Sequence, residues 1–419
     1  MKKIYALCFA LITTYQLSAQ CDGRYQADIF STIDITSNVQ YGSNQDLNST
    51  TINLTMDIYQ PQGDTSISRP LIIFAHGGSF SAGTKNDADI VYMCNSFAKK
   101  GYVCASINYR LAPSAFSLIA EETTVKVVLM AMQDGKAAIR YFRQDAATSN
   151  TYKINPDQIF IGGTSAGGIL GINLAYLDST NTMSSNWQTW STQVGGLEGT
   201  SGNPGYCSLV NGTFGFAGGV ADLSWIDAND VPWYGCHAEA DNTVKIGYGQ
   251  PLNGFTPVFL YGSDSINKRL IDLGIHASFD RYTGGAHPPF NGSSAIMQDN
   301  KDSLATFLYR ILDCNPNNLQ LAIQENCNGS VGLAEIKEQN LKAGIYPNPT
   351  NNNVTVELNN SFNLNNTRIT ILNSIGEVIV NQNATSYINN INVSNFAQGV
   401  YFVRITSNEG NYTQLLVKQ

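Results

Sequence analysis

The chain has 419 residues, 43% of them hydrophobic, which is enough for a large core and for roughly two or three domains. Its formal net charge of −8, with no basic tract, excludes nucleic acid as an expected partner.

The first residues, MKKIYALCFALITTYQLSAQ, carry Lys2 and Lys3, then an apolar run, then small residues near Ala19. This pattern predicts a secretory signal peptide over residues 1–19, because the apolar part is too short to span a bilayer. Gln20 separates Cys21 from the small residue before it, so a lipid anchor is not expected. No later stretch approaches ~18 unbroken apolar residues, which predicts a soluble mature chain with no membrane span. Of eight cysteines, Cys8 leaves with the signal peptide. The odd remainder implies a free thiol or an intermolecular bond. Cys94 and Cys104 lie in apolar runs and read as buried, inert thiols, while Cys314 and Cys327 flank an Asn-rich stretch that they could close into a loop. No cysteine pair has the spacing of a metal site, and no cofactor is implied.

From residue 20 to 312, short apolar runs alternate with longer amphipathic ones. RPLIIFAHGG (69–78) predicts a buried strand, DADIVYMCNSFAKKG (87–101) a helix with a glycine stop, and YVCASINYRL (102–111) a strand. TTVKVVLMAMQDGKAAIRYFRQD (123–145) predicts a long helix, QIFIGG (158–163) a strand and AGGILGINLAYL (166–177) a helix. FGFAGGVA (214–221), VPWYGCHAE (231–239) and HASFDRYTGG (276–285) predict further strands, and NKDSLATFLYRIL (300–312) a closing helix. Such alternation implies a mostly parallel sheet covered by helices on both faces, an α/β fold. The Ser-, Thr-, Asn- and Gly-rich segment 179–212 is too long for an ordinary connection and has the character of a lid. Residues 313–337 read as a linker. From 338 to 419, VTVEL, TRITILN, EVIVNQ, SYINNINV, GVYFVRIT and YTQLLVKQ alternate between apolar and polar residues and are divided by Asn, Gly and Ser turns. They predict a small antiparallel β-sandwich with nothing catalytic in it.

The chemistry centres on FIGGTSAGGILG (160–171), where Gly163 and Gly167 flank Ser165 as G-x-S-x-G between a strand and a helix. A sharp strand-to-helix turn raises the serine above the sheet edge and needs small neighbours. A glycine turn with an incidental serine is the alternative reading. FAHGGSFSAG (74–83) also follows a buried strand, and glycines there can turn their amides towards a developing oxyanion. Gly77, Gly78 and Ala166, directly after the serine, are the candidate donors; His76 reads as shaping the loop. For a base, the chain order nucleophile, acid, histidine favours His287 in YTGGAHPPF. His276 precedes the same strand at its other end, and His237 lies inside a strand as a satisfied buried histidine. Asp241 in CHAEADNTV is the candidate acid, with Glu239 as the alternative.

HGGSF, GTSAG, INYRLAP, AEADNTV and GGAHPPF resemble the α/β-hydrolase esterases of the carboxylesterase and hormone-sensitive-lipase type, over roughly residues 45–312. The resemblance implies a serine ester hydrolase with Ser165, Asp241 and His287 as its triad and the amides of Gly77, Gly78 and Ala166 as its oxyanion hole. It also implies short-chain or carbohydrate-linked esters, acetyl or feruloyl, as substrates. Two departures stand out: Ser79 replaces a third loop glycine, and HAEA replaces the usual HGT-x before the acid. A serine peptidase on the same fold, or a non-catalytic surface-binding protein, are the other readings. YPNP (346–349), GVYFVRI (399–405) and the terminal LLVKQ resemble the C-terminal sorting domain of the type IX secretion system. That implies contact with the secretion machinery and a place in the medium or at the cell surface.

Overall fold

The computed structural model describes residues 23–312, 343–359, 362–373, 378–407 and 410–419. The expected signal peptide and the expected linker, with Cys314 and Cys327, lie outside the described residues. The chain divides into two compact units, one ending at Gly332 and one beginning at Leu333.

In the first unit the strands are β1 (Ile33–Gln45), β2 (Thr51–Pro61), β3 (Arg69–Ala75), β4 (Val103–Ile107), β5 (Ile154–Thr164) and β6 (Gly212–Phe216). They continue with β7 (Gly219–Val220), β8 (Trp233–Ala238), β9 (Tyr248–Gly249), β10 (Leu260–Gly262) and β11 (Ala277–Tyr282). The helices are α1 (Ala88–Lys99), α2 (Glu121–Ala147), α3 (Ala166–Tyr176), α4 (Ser185–Gln193), α5 (Ser263–Asp272) and α6 (Ser294–Ile311). Eight strands form one sheet in the order β1-β2-β4-β3-β5-β6-β8-β11. β2 runs antiparallel to both of its neighbours, and from β4 to β11 every pairing is parallel.

Side-chain alternation along β3 explains the two layers of helices. Leu71, Ile73 and Ala75 point into one core, shared with α2 and α3. Ile72 and Phe74 point into the other, shared with α1 and α6. With both faces covered, β3 is buried at every position and its sequence is a continuous apolar run, as a central parallel strand requires. α2 has Glu121 and Glu122 in its first turn, where the helix dipole favours negative charge. α3 is buried around almost its whole circumference, because it lies between the sheet and α2.

FGFAGGVA does not form the single strand expected. β6 stops at Phe216, Ala217 takes a φ of 55°, and β7 joins a separate three-stranded sheet ordered β7-β10-β9. Once turned out of line, the Ala217 N–H bonds to the Cys236 carbonyl at 2.8 Å. In segment 179–212, α4 is followed by turns fastened to the body. Gln133 Nε2 donates to the carbonyls of Val194 (3.0 Å) and Gly196 (2.6 Å), and Ser201 Oγ donates to Asp134 at 2.6 Å. Asp134 and Arg110 form a fully buried ion pair beneath these turns. Cys94, Cys104 and Cys236 are free and buried, and burial pushes all three thiols well above their usual range. Cys207 is disulfide-bonded.

The second unit pairs β12 (Ala343–Tyr346), β13 (Asn353–Leu358) and β16 (Ile388–Asn392) in one sheet. β14 (Arg368–Asn373), β15 (Val378–Asn383), β17 (Gly399–Ser407) and β18 (Gly410–Lys418) form the other. Val354, Val356 and Ile391 from the first sheet share a core with Ile369, Ile371, Val403 and Ile405 from the second. All its pairings between strands are antiparallel, and the two sheets make a small sandwich.

Candidate active site

Four strands of the parallel part of the sheet, β3, β5, β8 and β11, deliver the site from their carboxyl ends, where open α/β sheets bind ligands. Ser165 stands between β5 and α3 with φ 53° and ψ −113°, a backbone conformation that a side-chain-bearing residue adopts only at a cost. Its N–H is fixed to the Phe216 carbonyl at 2.8 Å. A Cβ on Gly163 would lie 1.9 Å from the Ala75 carbonyl oxygen, and one on Gly167 would lie 2.0 Å from the same atom. Only glycine lets strand, turn and helix come this close.

His287, on the loop after β11, reaches back over this turn. Its Nε2 is 2.7 Å from Ser165 Oγ and its Nδ1 is 2.6 Å from Asp241 Oδ2. With Nδ1–H donating to the carboxylate, Nε2 is left bare to accept from the serine hydroxyl. Asp241, after β8, has no exposed side-chain surface. Its Oδ1 accepts from the amides of Thr243 (2.8 Å) and Val244 (3.1 Å). Burial alone would raise its pKa, but hydrogen bonds from His237 and His287 outweigh burial and hold the carboxyl well below the usual carboxylate range. Glu239 turns away to the surface and faces Arg281 at 3.7 Å.

His237 is buried and satisfied, as its place in a strand predicts, but it also belongs to the site. Its Nε2 faces two acceptors, the Val244 carbonyl at 2.9 Å and Asp241 Oδ2 at 3.3 Å, and its Nδ1 is 2.9 Å from Ser263 Oγ. Those partners assign the proton to Nε2. The four-residue spacing between His237 and Asp241 was the one sequence signal for this contact. His276 lies elsewhere, stacked on Phe307 at 5.5 Å between centroids.

His76 shapes the loop after β3. Its Nδ1 is 2.7 Å from the Gly77 carbonyl, its ring stacks on Tyr109, and Tyr109 Oη donates to the His76 carbonyl at 2.8 Å. Burial holds its pKa below the ordinary histidine value. The loop continues through Gly78, Ser79 and Phe80 with φ of 106°, 54° and 57°. Gly77 lies directly against Ser165, 3.7 Å separating its Cβ position from Ser165 Cβ. Among the described residues the N–H groups of Gly77, Gly78 and Ser79 donate to no protein acceptor. Ala166 is the first residue of α3, so its N–H has no acceptor within the helix.

From Ser165 and Ala166 a pocket opens between α2, α3 and the loop before β10, with about 840 Å³ of empty space including its mouth. Met183 and Trp187, from the segment expected to be a lid, close part of it.

A parallel sheet whose second strand is reversed, with a serine turn after its central strand, defines an α/β-hydrolase. Residues 56–196 match the BD-FAE family model, and residues 344–419 match the secretion system C-terminal sorting domain. The chain therefore carries an esterase domain of the BD-FAE kind and a type IX sorting domain, which marks it for the cell surface or the medium. Among solved structures it is similar to a thermophilic esterase of the Planctomycetes species Thermogutta terrifontis with propionate bound. That likeness has 20% identity, covers 66% of this chain and 94% of that one, and has a TM-score of 0.47. It is also similar to a truncated carbohydrate esterase from gut microbiota, with 23% identity, 68% and 99% coverage and a TM-score of 0.45. A curated relative, neuroligin-like protein glit-1 of Caenorhabditis elegans, is 26% identical over 116 residues, which is 27% of this chain and 14% of that protein. No helix among the described residues is long and apolar enough to cross a membrane.

Proposed function

We propose that the protein is a serine ester hydrolase that works through an acyl-enzyme on short-chain or carbohydrate-linked esters. The observation that carries this is the unbroken contact from Asp241 through His287 to Ser165, at 2.6 and 2.7 Å. Ser165 Oγ attacks the ester carbonyl as His287 Nε2 takes its proton. The charge that develops on the carbonyl oxygen is met by the N–H groups of Gly77, Gly78 and Ala166, which have no competing acceptor among the described residues. His287 then returns the proton to the leaving alcohol, and a water repeats the sequence to free the acid. Asp241 holds the Nδ1–H tautomer and stabilises the imidazolium that forms. A complete contact chain counts against the non-catalytic alternative, in which one member would be lost.

The test is covalent. Diethyl p-nitrophenyl phosphate should inactivate the protein with one adduct, found by peptide mass spectrometry on Ser165. Ser165→Ala should fold normally, take no adduct, and lose on the order of 10⁶ in kcat. Ordinary esterase activity in that variant would end the proposal.

A further inference from the structure

We infer that the pocket beside Ser165 is an acyl-chain tunnel for a saturated aliphatic acid of about eight carbons, longer than the acetyl group and unlike the feruloyl group that the family resemblance implies. The inference rests on the serine-esterase reading, since it takes Ser165 as the point where the acyl group is attached.

The depth comes from α3. Ala166, Ile169 and Asn173 line the pocket on successive turns, and Leu177 lines it just past the helix end. The wall therefore starts at the nucleophile and runs along the helix axis. Seven residues separate Ala166 from Asn173, a rise of about 10 Å. A zigzag of C–C bonds of about 1.5 Å advances about 1.3 Å per carbon, so about eight carbons reach Asn173. An acetyl group would leave most of that wall untouched.

The chemistry comes from what the wall lacks. Val125, Val128, Leu129 and Met132 face α3 from α2. Asn173 is the one side-chain amide lining the pocket, and both of its N–H donors are engaged. Its Nδ2 donates to the carbonyls of Ile169 (2.7 Å) and Gly219 (3.0 Å), and its Oδ1 accepts from the Ala221 amide (3.1 Å). Thr124 Oγ1 donates to the Leu118 carbonyl at 2.7 Å. Trp187 Nε1 donates to Glu121 at 2.8 Å, and Trp225 Nε1 to the Thr182 carbonyl at 3.3 Å. The other polar lining residues besides Ser165 are Ser79 on the loop next to it, Thr243 beside Asp241, and Thr256, whose Oγ1 donates to the Pro251 carbonyl at 3.5 Å. With those donors engaged, a feruloyl group would bury its methoxy and phenol oxygens short of donors, and a sugar ring would bury several hydroxyls in the same way. An alkyl chain needs no partner, and each methylene that gains wall contact strengthens binding about 4-fold.

The experiment is kcat/KM across p-nitrophenyl esters from acetate to dodecanoate, with methyl octanoate and methyl ferulate as a second pair. The expected result is a rise from acetate to about octanoate, then a plateau or fall, with methyl octanoate preferred to methyl ferulate. Ile169→Trp and Val128→Trp narrow the tunnel from opposite walls. Each should lower the octanoate-to-acetate ratio, measured within the same protein, by at least about 20-fold. Activity highest on acetate and falling with length, a preference for methyl ferulate, or an unchanged ratio in the folded variants would overturn the tunnel while leaving the serine esterase standing. Hydrolysis of no ester at all would overturn both.

Discussion

Ala75 and Gly163 are paired across β3 and β5, and the Ala75 carbonyl oxygen occupies the space that a Cβ on Gly163 would need. The obstacle is backbone on backbone, so no side-chain rotation relieves it. The same carbonyl blocks a Cβ on Gly167, which means one atom sets both glycines of the G-x-S-x-G turn.

Gly163→Ala should therefore destabilise the protein by about 3 kcal/mol or more, because the strands must part to admit a methyl group. Urea denaturation followed by circular dichroism would measure it. A loss below about 1 kcal/mol would mean that the turn has room the structure does not show.

Asp241→Asn should lower kcat by about 10⁴ with little change in the unfolding midpoint, because the amide presents the wrong partner to His287 Nδ1. Glu239→Gln should leave kcat within a few-fold of the parent, since Glu239 faces Arg281 at the surface. Steady-state kinetics on both variants decides between the two acids. A large effect at 239 with a small one at 241 would transfer the role.

Asp230 gives a pH dependence of stability. Burial pushes its carboxyl up to about 7; the Asp227 N–H opposes this, and the nearby charges of Asp227 and Asp178 add to it. The folded-state value then lies above that of the unfolded chain, so between about pH 4 and 7 the folded protein holds a proton that the unfolded chain has released. Stability falls as pH rises through that window and is level above it. Asp230→Asn should flatten that slope and stabilise the protein at pH 8, by an amount on the order of 1 kcal/mol, because the half-buried carboxyl is partly screened. Melting temperatures of both proteins at pH 5 and 8 test the sign.

The local motifs were readable because their cause is local. GTSAG needs nothing beyond its own turn, and its place between an apolar strand and an apolar helix marks Ser165. His287 and Asp241 followed from chain order and from loops at strand ends. The pocket wall was not readable, because Val125, Val128, Ile169 and Leu177 have the spacing of any buried helix face. Only the gap between α2 and α3 makes them a binding surface. α5 was missed because SDSINKRLID buries little beyond Ile266 and Leu270. The break between β6 and β7 was missed because a positive φ at Ala217 leaves no signature in the sequence.

The sandwich shares no candidate catalytic residue with the first unit, so a chain ending at residue 337 should keep the kcat/KM of the full chain on a small soluble ester. In the native host that shortened chain should stay in the periplasm while the full chain reaches the medium. Ester hydrolysis in the two fractions measures both outcomes. Unchanged export of the shortened chain would refute the role of the sorting domain, and lost activity would show that the first unit depends on the second.

Three buried free thiols among the described residues make heat damage to this protein a chemical problem. Folded, Cys94, Cys104 and Cys236 are sealed from solvent and held as thiols. The route to the medium passes through an oxidising compartment, where any exposed thiol can pair. Unfolding releases all three at once, beside a Cys207 that is already bridged. A brief excursion above the melting temperature should therefore leave scrambled bridges that cooling does not undo, and non-reducing peptide mapping after heating would show them. Recovery after heating will follow the redox buffer more than the temperature reached, and residual activity will report elapsed time rather than an equilibrium.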